Sequence, residues 1–209
     1  MTGWTDLNDE PALRWVDWWA RGAKGPVGAL AVSETVPEPL RGWLRQHPEE
    51  RRAGTAMPPP PNLILLPLLA LEPEQWSRLF SLVVTVCDGG HRPARPGLGP
   101  AELIWCRRLG KALQPGRWLP AITSADATDI QGLRLLRAWV GEVVWQRLRH
   151  SFARADVIDA ERQPWHGLPG TRLTALWQAA AWHSLTLFAQ GSSHVDPSQF
   201  DPQPASDAA

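Results

Sequence analysis

The stretch PEQWSRLFSLVVTVCDGG, Pro73 to Gly90, decides the fold class. Its β-branched end, Val83 to Val86, has the composition of a strand, because branched Cβ atoms pack well on a pleated surface. The spacing upstream favours a helix: Trp76, Leu79, Phe80, Val83 and Cys87 share one face of a 3.6-residue repeat. Pro73 suits the first helical turn and Gly89 suits the stop. The neighbours read the same way. AELIWCRRLGKAL, Ala101 to Leu113, is bounded by Pro100 and Pro115. DIQGLRLLRAWVGEVVWQRLRHSF, from Asp129, predicts one long helix with Leu133, Leu136, Val140 and Val143 along a single seam. A last helix, from about Thr171 to Gln190, places Leu173, Leu176, Trp177, Ala180, Ser184, Leu187 and Phe188 on one stripe and stops at Gly191. No sustained alternation demands a sheet, and no fixed repeat is visible. The expected architecture is all-α, an irregular bundle of amphipathic helices joined by loops rich in Pro and Gly.

Upstream, a helix is expected to start at Asn8, with Asp9 and Glu10 favoured by the dipole and Pro11 in the first turn. Ala12, Trp15, Val16 and Trp19 recur on its apolar side, with Trp18 off that stripe, and GAKGPVG ends it. A short helix over Leu40 to Gln46 follows. The tetraproline then cannot be helical and reads as a stiff polyproline linker. These signals divide the chain into a Trp-rich helical segment (1–56), a linker (57–62), a main helical domain (63–190) and a disordered tail (191–209).

The 209 residues carry 21 basic and 21 acidic side chains, so the chain lacks the global attraction of a dedicated nucleic-acid or membrane-surface binder. Neutrality also favours association with other molecules. The longest apolar run, Leu63 to Leu71, is interrupted by Pro67 and is too short to span a bilayer. The polar, acidic N-terminus does not read as a signal peptide. Cys87 and Cys106 are too few for a disulfide scaffold, which fits a reducing compartment. The expectation is a cytoplasmic protein. Thirteen tryptophans and no tyrosine stand out, because each indole suits an anchor in a core or an interface.

The candidate chemistry begins with Cys106, which precedes Arg107 and Arg108. On a helix, Cys106 falls with Trp105, Leu109, Ala112 and Leu113, while Arg107, Arg108 and Lys111 cluster on the other side. The thiol therefore points inward and reads as a small hydrophobe, as does Cys87. The six histidines are scattered, and no zinc, P-loop, dinucleotide or serine-hydrolase motif occurs. No catalytic residue, cofactor or metal site is expected, and the chain is read as a non-enzyme. Two interaction features remain. Arg107, Arg108 and Lys111, with Arg134, Arg137, Arg147 and Arg149 of the long helix, form either a solvated face or a basic patch for an acidic partner or phosphates. Trp18 and Trp182 lie off their apolar stripes, so they either pack on a second neighbour or anchor a partner protein.

At Leu103, Cys106, Arg107, Leu109 and Gly110 the pattern LxxCRxLG follows a Pro-rich connection and a Leu-rich helix. Together with WQRLRHSF, Trp145 to Phe152, it resembles the SctK/YscK family, accessory proteins of the type III secretion sorting platform, in its Hrp branch. The similarity covers about Leu63 to Phe152. It implies a non-enzymatic cytoplasmic adaptor that links the cytoplasmic domain of the inner-membrane ring protein (SctD type) to the SctQ-type pod protein. No small-molecule substrate, cofactor or membrane insertion is implied. The contact residues expected from helix geometry are Arg107, Arg108, Lys111, Arg134, Arg149, Trp18 and Trp182. The alternative is a helical nucleic-acid-binding regulator using the same arginines.

Overall fold

The computed structural model describes residues 10–21, 57–89, 97–120 and 127–191, with backbone alone at Arg21 and 187–191. The expected Asn8 cap, the Leu40 to Gln46 helix, the tail beyond Gly191 and the side chains of Leu187 and Phe188 lie outside what is described. Among the described residues there are seven α-helices and no strand, so the fold is all-α. They are α1 (Pro11–Arg21), α2 (Leu65–Leu68), α3 (Pro73–Cys87), α4 (Pro100–Leu113), α5 (Thr128–Leu148), α6 (Arg154–Arg162) and α7 (Gly170–Gly191). Single 3₁₀ turns follow α4 at Pro115–Arg117 and α5 at Arg149–Ser151.

Helix starts are set by local chemistry. Asn62 Oδ1 accepts from the amides of Ile64 (3.1 Å) and Leu65 (3.0 Å) and so caps α2. The helices α3 and α4 share another device: proline at the first position, whose missing N–H costs nothing there, and a side chain two residues further on that reaches back. Gln75 Oε1 accepts from the Glu72 amide at 2.9 Å, and Glu102 Oε2 accepts from the Gly99 amide at 2.7 Å. At the far end of α4, Gln114 takes a left-handed conformation (φ 50°). Just beyond, the Trp118 indole donates to the Leu113 carbonyl at 2.9 Å.

The core forms around α3 and α5. Leu82 to Cys87 are buried in succession, so the β-branched end of α3 is a helix enclosed on all sides, which is why its pattern resembles a strand. Gln131 to Leu136 are likewise buried without a break, because α5 lies against α3, α6 and α7. Close approach depends on glycine at two crossings. A Cβ on Gly110 of α4 would stand 2.9 Å from the Val86 carbonyl oxygen, and one on Gly132 of α5 would run into Phe80 of α3. Phe80 in turn lies among Trp76, Phe152 and Trp177, with ring centroids 5.4, 5.8 and 6.4 Å away. On α7, the expected stripe of Leu173, Leu176, Trp177, Ala180 and Ser184 is buried.

Three elements differ from the sequence reading. The long helix is interrupted at Gly141 (φ 75°, ψ 166°), which resets the phase of the buried face. Val143, expected on the same seam as Leu133 and Leu136, is exposed, and Val144, Trp145 and Leu148 face inward in its place. Helix α6, not anticipated, packs on α5 through Val157 and Ala160, and Arg134 donates to its Asp159 carbonyl at 3.2 Å. In α1 the inward side chains are Trp15, Trp18 and Trp19, while Ala12 and Val16 face outward. Trp15 is enclosed at 1% exposure, and its indole donates to the Pro59 carbonyl at 2.9 Å, which fastens α1 to the proline segment.

Candidate partner-binding surface

The geometry of α4 follows from its 100° step. Glu102, Cys106, Gly110 and Leu113 are buried, and Ile104, Arg107, Arg108 and Lys111 are exposed. Arg107, Arg108 and Lys111 form no ion pair with any described residue, so their charge is presented outward. On the inner side, Glu102 holds α4 against α3. Arg78 Nη2 and Nε donate to Glu102 Oε1 at 2.9 and 3.2 Å, and the other carboxylate oxygen caps α4.

One turn before Arg108, the Trp105 ring stacks on His183 of α7, with centroids 4.3 Å apart and planes 9° from parallel. This stack joins α4 to α7. Burial holds the His183 pKa below the ordinary histidine value, with Glu102 opposing that shift and Arg78 adding to it. The preceding residue, Trp182, points away from the stack and is 72% exposed. The exposed positions at the next turns on its side of α7, Gln178 and Thr186, are polar. An exposed indole set beside an aromatic stack, on a helix fixed by a buried stripe, has the form of an interface anchor.

The other expected contact residues do not extend this surface. Arg134 is buried at 5% exposure and bonded to α6, because its helix is covered on every side rather than amphipathic. Arg147 is also buried, with its guanidinium 4.8 Å from the centre of the Trp19 ring. Arg149 is only part-exposed and pairs with Glu161 at 3.2 Å, while Arg137 pairs with Glu142 at 3.0 Å. Trp18 is half-buried, packed against the core with its ring 5.0 Å from Trp15. Arg107, Arg108, Lys111 and Trp182 are therefore the four expected contact residues that face solvent.

Neither cysteine is placed for nucleophilic chemistry. The Cys106 Sγ is enclosed and donates to the Leu82 carbonyl at 3.7 Å; burial, then the nearby Glu102 charge, pushes its pKa up to about 12. Cys87 is raised as well, by burial first and then by Asp88 and Cys106. Both stay protonated at neutral pH. Among the described residues no group of three His, Cys, Asp or Glu side chains is arranged to hold a metal ion, and no helix is long and apolar enough to cross a membrane.

The sequence reading missed a groove of about 680 Å³ where α1, the α2–α3 turn, α3, α5, the 3₁₀ turn after it and the start of α6 meet. Trp18, Leu69, Leu71 and Phe152 supply apolar wall, and Ser77, which donates to Asp129 Oδ2 at 3.1 Å, lies in its side. Its lining comes from six separate elements, so no local motif announces it. Ser77 bonds straight to a carboxylate with no imidazole between them, which fixes the start of α5 rather than activating the hydroxyl. No family model, curated protein or solved structure matches the chain.

Proposed function

We propose that this chain is a non-enzymatic helical adaptor that holds other proteins through the outer faces of α4 and α7. The observation that carries the reading is Trp182, a large apolar side chain 72% exposed on a helix held by a buried stripe, with polar Gln178 and Thr186 exposed one turn to either side. The outward cations Arg107, Arg108 and Lys111 on the adjoining helix supply steering towards an acidic partner. Enclosed thiols with raised pKa values argue against thiol catalysis. The resemblance in α4 and at the end of α5 suggests the setting. It is the cytoplasmic face of a type III secretion apparatus, with the SctD-type ring protein on one side and the SctQ-type pod protein on the other. A phosphate-binding face is less well supported, because Arg134 and Arg147 are turned into the protein.

The test is affinity measurement against purified SctD-type cytoplasmic domain and SctQ-type protein. Trp182→Ala is expected to weaken one of these complexes by about 2 kcal/mol, roughly thirty-fold. Arg107→Glu combined with Arg108→Glu is expected to slow association and flatten its salt dependence. Both variants should keep the helical circular dichroism of the parent. If the folded variants bind both proteins as the parent does, the contact surface is wrongly assigned. If the parent binds neither protein, the secretion setting is lost.

A further inference from the structure

We infer that the groove between α1, α3 and α6 is a second docking site, and that it takes a short segment of a partner protein in which arginine or lysine alternates with bulky apolar residues. The inference goes beyond the adaptor reading, since it concerns a different face and stands or falls by its own probe. Its volume of about 680 Å³ lies within the usual range for ligand sites and accommodates a few large side chains rather than a whole helix.

The occupant follows from the chemistry of the lining. Trp18 and Phe152 are both partly open to solvent, and with Leu69 and Leu71 they offer apolar wall from three elements. Three carboxylates, Glu72, Asp129 and Asp156, line the same space, and among the described residues its lining contains no arginine or lysine. Asp129 accepts one hydrogen bond, from Ser77, and a carboxylate has further acceptor capacity. Among the described lining residues, His150 is the single group able to carry positive charge. An aromatic and aliphatic wall beside carboxylates that outnumber the imidazole among the described lining residues favours cations on apolar stems, both by charge pairing and by cation–π contact with the indole. It disfavours phosphates, nucleic acid and acidic peptides. The sign is opposite to that of the α4 edge, so the two surfaces select different partners.

The probe is a fluorescent hexapeptide of alternating arginine and leucine, measured by anisotropy against the full chain. Two controls have every arginine replaced by glutamate, or every leucine by alanine. Binding of the first peptide with at least about ten-fold preference over both controls is expected, and Glu72→Gln with Asp156→Asn should weaken it about ten-fold at unchanged circular dichroism. Since Glu72 is exposed and Asp156 part-exposed, these variants leave the core intact. Trp182→Ala should leave this binding unchanged, which separates the groove from the α4–α7 surface. Absence of binding, equal binding of the glutamate peptide, or an unaffected double variant overturns the proposal. So does a dimer, seen by sedimentation, that dissociates on Asp156→Lys, because the groove then belongs to a second copy of the chain.

Discussion

Gly132→Ala tests the crossing of α3 and α5 directly. A Cβ built at Gly132 lies 2.5 Å from Phe80 Cδ1 and 2.6 Å from Phe80 Cβ, where carbon atoms prefer about 3.5–4.0 Å. Phe80 is 2% exposed and hemmed in by the rings of Trp76, Phe152 and Trp177, so it has no free rotamer to move into. The helices must separate. Overpacking of this kind costs about 3 kcal/mol or more, while replacing a mid-helix glycine by alanine returns about 1 kcal/mol of helix propensity. The net loss is about 2 kcal/mol, which for a chain of this length corresponds to a fall in Tm of about 4–8 °C. Gly170→Ala is the control: nothing lies within 4 Å of its Cβ, and it should gain up to about 1 kcal/mol. Differential scanning calorimetry of the two variants, with Phe80→Leu alone and combined with Gly132→Ala, measures the coupling. A Gly132→Ala protein that melts at or above the parent temperature would refute the close crossing, as would strict additivity with Phe80→Leu.

Gly141→Ala should also destabilise, by about 1–3 kcal/mol, although its Cβ would meet no atom within 4 Å; the cost comes from φ 75° and ψ 166°, a region that only glycine adopts without strain. A raised melting temperature would indicate a continuous helix. Glu102→Ala removes both the tie to Arg78 and the cap on Gly99, and urea unfolding should show a loss of about 2–3 kcal/mol, with Glu102→Gln losing less. For the thiols, folded pKa values raised above the ordinary 9.0 mean that their contribution is complete below pH 9 and declines as pH rises through about 12 for Cys106. Iodoacetamide labelling at pH 7.5 should therefore be negligible until the protein unfolds, and Cys106→Ala should shallow the alkaline loss of stability. Rapid labelling of the folded chain would contradict the burial of both sulfurs.

The helices α3, α4 and α7 were legible because each carries a one-sided apolar stripe or a proline and glycine at its ends. The wheel argument that turned Cys106 inward and Arg107 outward worked for the same reason. It failed on α5, where it assumed a solvent side. From Gln131 to Leu136 that helix has none, so the wheel puts Arg134 at the surface although its guanidinium reaches an α6 carbonyl. Gly141 gives no signal of a break, because a single glycine in a helical pattern reads as a tolerated weakness, and the expected phase of Val143 runs straight through it. Helix α6 gives almost no periodic signal, with only Val157 and Ala160 buried in nine residues. Trp182 was legible as an indole off its stripe. Its isolation was not, since that depends on what neighbouring helices leave uncovered.

The bond from the Trp15 indole to the Pro59 carbonyl bears on how the molecule may be trimmed. A shortened chain that starts at the prolines would discard two enclosed indoles, Trp15 and Trp19, the second of which roofs Arg147. The stump would present fresh greasy surface to its own kind, and clumping of such a fragment would reflect a missing lid rather than a natural appetite for self-assembly.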